Sequence, residues 1–187
     1  HVVVDSTGLK HFGEGEGKVR QHGVGKRRTW RKIHLAVDEA EKDIIGIELT
    51  TADWGDSEVF PDLLAQVDGE VAQVSADGAY DTERCHRSIA ERGAQAAIPP
   101  RDGAVRWGDN HPRDATLAVI ADRGRDGWKE DSGYHRRSLA ENMMFRLKQL
   151  GDRLFSRTFE RQVAEAHVRV VILNGFTYLG MPRSVRA

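Results

Sequence analysis

The sequence predicts an α/β fold, a mixed sheet with helices on both faces, from three observations. Short β-branched or alternating apolar runs fill the first fifty residues. Longer periodicities of the 3.6-residue kind begin only after them. Strand-like and helix-like segments then alternate until two consecutive prolines, Pro99 and Pro100, stop the pattern.

Each element follows from local chemistry. Val2 to Val4 is a β-branched run that reads as a strand delivering Asp5 to its C-terminal end, because Ser6, Thr7 and Gly8 are turn residues. His11 to Lys26 is rich in glycine and charge and reads as a long loop. In Lys32 to Val37, Ile33, Leu35 and Val37 alternate with His34 on the other side, giving a second strand. Asp38 to Asp43 is a polar turn, and Ile44 to Leu49 completes an antiparallel hairpin. Ser57 can cap a helix to about Val67, whose apolar face is Val59, Phe60, Leu63, Leu64 and Val67. Val71 to Ala76 is the fourth strand, ending at Asp77-Gly78, and a helix over about Thr82 to Arg92 is capped by Asp81 or Thr82. Gln95 to Ile98 is the fifth strand.

Beyond the prolines, the stretch from about 99 to 132 reads as an inserted connector with little periodicity. It holds Trp107 and Trp128 and one candidate helix, Asp114 to Arg123. Single helices are predicted over Gly133 to Leu150 and over about Glu160 to Leu173. Three antiparallel strands followed by alternating strand and helix resemble the ribonuclease-H-like fold. There, the first strand, the end of the fourth and a later helix converge, and here those elements carry Asp5, Asp77 and Glu141.

The helix predicted over Gly133 to Leu150 carries Tyr134, Arg137, Glu141 and Lys148. At ~100° per residue these four fall within an arc of roughly 60°. A carboxylate flanked by an aromatic and two cations suits a divalent metal beside a phosphodiester; ordinary helix ion pairs on a solvated face are the plainer reading. Asp5 and Asp77 add two carboxylates on other elements, although each also precedes residues that simply make turns. Hard cations take oxygen ligands, and two ions ~4 Å apart can activate a nucleophile and neutralise a leaving 3′ oxygen. No Cys/His spacing competes for zinc, since Cys85 is the one cysteine.

Composition sets the remaining bounds. With 187 residues the chain is predicted to be a single domain, and its 39% apolar content forms a core without any run long enough to span a membrane. A lone cysteine fits a reducing compartment. Net charge is −1, yet residues 18 to 32 carry Lys18, Arg20, Lys26, Arg27, Arg28, Arg31 and Lys32 without one acid. Such a block is either a solvated segment or a strip suited to a DNA backbone. Trp107 and Trp128 either pack the connector or stack on an unpaired base, packing being the commoner fate.

The stretch YHRRSLAENMMFRLK, Tyr134 to Lys148, keeps every spacing of a Tyr-(2)-Arg-(3)-Glu-(6)-Lys signature. With VVVDSTGLKHFGEGEGKVR, KRRTWRKIHLAVD and SADGAYDTERCHRSIAERG, it resembles the catalytic domain of bacterial insertion-sequence transposases of the DDE class. The resemblance implies that Asp5, Asp77 and Glu141 bind two Mg²⁺ ions, with Mn²⁺ able to substitute. It implies that Tyr134, Arg137 and Lys148 contact transposon-end DNA, and that cleavage exposing a 3′-OH precedes strand transfer into target DNA. A homo-oligomer on DNA, a bacterial cytoplasmic location beside the nucleoid, and an N-terminal DNA-recognition part missing from this chain are further expectations. Two other readings are a nuclease that cuts without joining and a non-catalytic remnant that binds DNA or an intact transposase.

Overall fold

A computed structural model describes residues 1–11, 30–108 and 111–180. The glycine-rich loop expected from His11 and the basic residues Lys18, Arg20, Lys26, Arg27 and Arg28 lie outside the described residues, except His11 itself.

Strands β1 (Val2–His11), β2 (Trp30–Asp38) and β3 (Ile44–Thr51) form an antiparallel meander. Helix α1 (Asp56–Ala65) leads to β4 (Gln73–Ser75), which pairs parallel to β1, and α2 (Glu83–Glu91) leads to β5 (Gln95–Ala97), parallel to β4. The sheet order is β3-β2-β1-β4-β5, the mixed arrangement of a ribonuclease-H-like fold. Helix α3 (Pro112–Ser132), a 3₁₀ turn (Tyr134–Arg137), α4 (Ser138–Gln149), the two-residue β6 (Arg153–Leu154) beside β1, and α5 (Phe159–Leu179) follow.

The pleat of β1 divides the core. Val2 and Val4 pack with Ala36 beneath α1 and α2, where Phe60, Leu63 and Ile89 close one apolar cluster. Leu9, with Ile33, Leu35 and Val37 of β2, belongs to a second cluster under α4 and α5, with Met143, Leu147 and Leu173. Residues two apart on a strand share a face, so the odd positions Asp5 and Thr7 look toward α4 while Ser6 looks toward α1.

Several boundaries differ from the sequence reading: β4 is only Gln73–Ser75 instead of Val71 to Ala76, and α5 runs to Leu179 instead of ending near Leu173. Asp5 lies within β1, because Ser6, Thr7 and Gly8 stay paired to His34, Ile33 and Lys32 instead of turning. Helix α1 begins at Asp56, so Ser57 lies inside it and Gly55 takes the cap position, its N–H donating to Glu58 Oε2 at 2.6 Å. The connector contains a 21-residue helix, broken at Gly124 where φ is 73°. Its glycines and mixed charges hide the apolar period that a sequence window detects. The expected single helix over Gly133 to Leu150 is a 3₁₀ turn followed by α4, entered through the left-handed Gly133 that ends α3 (φ 64°).

Candidate functional site

Asp5 and Asp77 are brought level by sheet register. Val3 pairs with Ser75 in the parallel β1–β4 ladder, and the two aspartates follow two residues farther along each chain. Asp5 Oδ1 accepts from the Ser6 N–H at 2.8 Å. Asp77 caps the 3₁₀ turn Gly78–Tyr80, its Oδ1 accepting from the Ala79 N–H at 2.8 Å.

The 3₁₀ turn at Tyr134–Arg137 puts three residues in each turn, so Tyr134 and Arg137 stack one above the other. The Arg137 guanidinium lies 6.0 Å from the Tyr134 ring centre. It forks between two of the predicted acids, donating Nη1 to Asp5 Oδ2 at 2.9 Å and Nη2 to Glu141 Oε1 at 2.5 Å. Two turns beyond Glu141, Lys148 Nζ donates to Thr7 Oγ1 at 2.7 Å. The signature residues therefore overlie β1 along its α4-facing side. An open cleft of about 290 Å³ runs between them, with Asp5, Thr7, Glu141, Met144, Phe145 and Lys148 in its lining.

The electrostatics suit a cation. Burial raises the Asp5 carboxyl above its usual range; the Ser6 N–H and Arg137 oppose that, while the negative charges of Asp77 and Glu141 add to it. Burial would weaken the charge on Arg137, but Tyr134, Asp5, Glu141 and Asp77 together raise its pKa above the ordinary value. Burial also raises the Tyr134 phenol. Three hard oxygen donors around one cationic group form a donor set that fits Mg²⁺ or Mn²⁺. As they stand, no three Asp, Glu, His or Cys side chains among the described residues are gathered tightly enough to hold a metal ion. Arg137 fills the gap between two carboxylates, and Asp77 is turned toward its own 3₁₀ turn.

The described part of the basic strip does not join this site. Arg31 donates to Gln162 Oε1 at 2.7 Å and sits over the Phe159 ring. Lys32, on the opposite face of β2, pairs with Asp56 at 3.1 Å and donates to the Trp54 carbonyl. Asp56 also accepts from the Ser6 hydroxyl at 2.7 Å, which ties the reverse side of β1 to the first turn of α1.

Asp81 was one of two residues expected to cap the helix after it. Thr82 performs that task, its hydroxyl accepting from the Cys85 N–H. Asp81 instead faces Arg113 and His86, and Arg113 lies 4.1 Å from the Trp107 ring centre, which in turn packs on His111. These contacts bind the connector to the loop that bears Asp77. Burial would raise the Asp81 carboxyl, but hydrogen bonds from Arg113, His86 and the Arg101 N–H outweigh it and hold it well below the usual range. Trp128 is buried against Tyr134, ring centres 5.2 Å apart, so both connector tryptophans pack. Sequence reasoning left out Phe145, an exposed aromatic in the cleft; its spacing of four residues from Glu141 was the available signal.

The family model described as transposase DDE domain matches residues 1–174. Among solved structures, the chain is similar to a piggyBac transposase in a synaptic complex with hairpin DNA, with 11% identity and a TM-score of 0.45. That match covers 95% of this chain and 46% of the other, so this chain spans less than half the length of that transposase.

Proposed function

Because this chain belongs to the transposase DDE domain family, we propose that it is the catalytic domain of a metal-dependent DNA transposase of the insertion-sequence kind. In this reading it cleaves at transposon ends to expose a 3′-OH and joins that hydroxyl to target DNA. The observation that carries the reading is the placement of α4 over β1. Glu141 shares the Arg137 fork with Asp5, and Lys148 reaches Thr7, on one cleft wall.

In this mechanism Asp5, Asp77 and Glu141 would hold the divalent ions. When bound, two ions supply Lewis-acid polarisation of the attacking oxygen and charge neutralisation at the leaving 3′ oxygen. The protein's own cations handle the substrate. Arg137 stays protonated and has the planar fork that matches a phosphate, so it exchanges a carboxylate for the DNA backbone as the strand enters. Lys148 supplies a mobile point charge one turn past Phe145, and Tyr134 packs beside Arg137 to fix the approach of the guanidinium. Neither cation acts as a base. The same site serves water in the first step and a 3′-OH in the second, because both are oxygen nucleophiles attacking a phosphodiester in line. Transposon ends and target DNA are the substrates, and synapsis of two ends calls for a homo-oligomer on DNA. The reading further implies a bacterial, nucleoid-associated setting.

Calorimetric titration of Mn²⁺ or Mg²⁺ into the wild-type chain and into Asp77→Ala, both with pre-nicked DNA present, tests the assignment. Binding lost in the variant supports one shared site. Equal weak binding by both overturns it and favours a DNA-binding remnant without catalysis.

A further inference from the structure

Helix α4 satisfies its apolar demand without Phe145. Ala140, Met143, Met144 and Leu147 are all buried, whereas Phe145 is 64% exposed. A large aromatic ring in water is ordinary when isolated, and informative when its position is shared with a site. Phe145 lies four residues after Glu141 and three before Lys148, the two spacings that place side chains on one helical face. All three line the same cleft. The ring therefore stands one turn from a carboxylate of the proposed metal set and one turn from the cation proposed to hold phosphate.

The two connector tryptophans are already engaged, Trp128 on Tyr134 and Trp107 on Arg113 and His111. Among the lining residues of the cleft, Phe145 is the one aromatic. A flat apolar face, a lysine and hard-cation ligands in sequence match the three parts of a nucleotide at a strand end. Its base has a π-face no longer covered by a neighbour, its phosphate is anionic, and its reacting oxygen needs a metal. Stacking on an aromatic is tolerant of base identity, which suits a ring flanked by no side-chain amide in the cleft lining.

We propose that Phe145 is a base-stacking platform, taking the unpaired or terminal nucleobase of the DNA strand whose phosphate is held by Lys148. This rests on the reading of the cleft as the DNA-processing site. It adds a binding residue outside the four-residue signature, and it makes the cleft selective for DNA ends over uninterrupted duplex.

The test uses duplex DNA with 2-aminopurine as an unpaired terminal nucleotide, beside a covalently closed circular duplex that has no end and no unpaired nucleotide. The proteins are wild type, Phe145→Ala, Phe145→Leu, Phe145→Trp and Lys148→Ala, each first checked for wild-type thermal unfolding and sedimentation. The expected results are quenching of 2-aminopurine by wild type and by Phe145→Trp, and loss of quenching in Phe145→Ala and Phe145→Leu. Affinity of the Ala and Leu variants for the open end should fall roughly tenfold to a hundredfold. Their affinity for the closed duplex should stay near wild type. Unchanged quenching and affinity in Phe145→Ala and Phe145→Leu, with weakened binding by Lys148→Ala, would overturn the stacking role alone. No effect of any substitution, Lys148→Ala included, would overturn the DNA reading of the cleft and the platform with it. A change of oligomeric state in the Phe145 variants, with end binding intact, would assign the ring to a contact between protein copies instead.

Discussion

Arg113 donates two parallel hydrogen bonds to Asp81, Nε to Oδ1 at 2.6 Å and Nη2 to Oδ2 at 2.7 Å, with both side chains almost wholly buried. The remaining capacity of the pair is also used. The Arg101 N–H and His86 reach Asp81, and Arg113 Nη1 donates to the Val105 carbonyl. A pair joined across 32 residues in this way locks the connector against the loop after β4.

Removing one partner strands the other charge in a dry environment. Arg113→Ala should therefore destabilise the fold by about 3–5 kcal/mol, read as a lower urea midpoint. The double substitution Asp81→Asn with Arg113→Leu should recover most of that loss, because no buried charge remains. Additive losses in the double variant would show that packing of the Arg113 stem, and not the charge, is what matters.

Arg137 presents a different balance, since its charge lies between groups proposed to bind metal. A cation in that position repels a divalent ion, and the repulsion exceeds 1 kcal/mol at an effective dielectric near 20. Arg137→Gln should raise the affinity for Mn²⁺ in the absence of DNA by roughly tenfold, a difference of about 1.4 kcal/mol. Titration followed by Mn²⁺ electron paramagnetic resonance reads it directly. A fall in affinity would mean that the guanidinium arranges Asp5 and Glu141 for the metal instead of competing with it.

The third expectation concerns pH. His34 is almost fully buried, its Nε2 within 3.0 Å of Thr50 Oγ1, and burial lowers its pKa from 6.5 to about 4. Between those values the unfolded chain binds a proton that the folded chain does not, so stability falls as pH drops from 6.5 toward 4. The full effect is roughly 3 kcal/mol. His34→Gln, which retains a partner for Thr50, should flatten the pH dependence of the urea midpoint within that window. Asp5, whose raised carboxyl acts in the opposite direction, is common to both proteins and cancels in the comparison. An equally steep profile in the variant would place the acid sensitivity elsewhere.

What the sequence disclosed was local. The valine run before Asp5, the Asp77-Gly78 pair just past a strand and the apolar face of α1 each lie within one window, and their elements form close to where the pattern put them, with shifted ends. Partners far apart in sequence were not legible. β1 continues to His11 only because Thr7, Gly8 and Leu9 meet Ile33, Lys32 and Arg31, a pairing that no turn propensity reveals. Asp81 reads as a cap until Arg113 is seen beside it. Arg31 and Lys32 read as one basic strip, yet alternation sends them to opposite faces, to Gln162 and to Asp56. Tyr134, Arg137, Glu141 and Lys148 still share one side despite the broken helix, because a 3₁₀ turn aligns residues three apart and an α-helix aligns residues three or four apart.

The pleat of β1 also restricts how this segment can change in length. Deleting one residue between Val2 and Asp5 would move Ser6 into the position that meets Arg137 and drive Asp5 into the apolar cluster occupied by Val4. Deleting two would restore the face but shift the carboxylate by a whole rung, about 6.8 Å, away from Glu141. Substitution is open to the segment in a way that insertion and deletion are not. Over a lineage, gaps should collect in turns such as Asp38 to Asp43, while the spacing from Val2 to Thr7 stays constant even where the residues themselves drift.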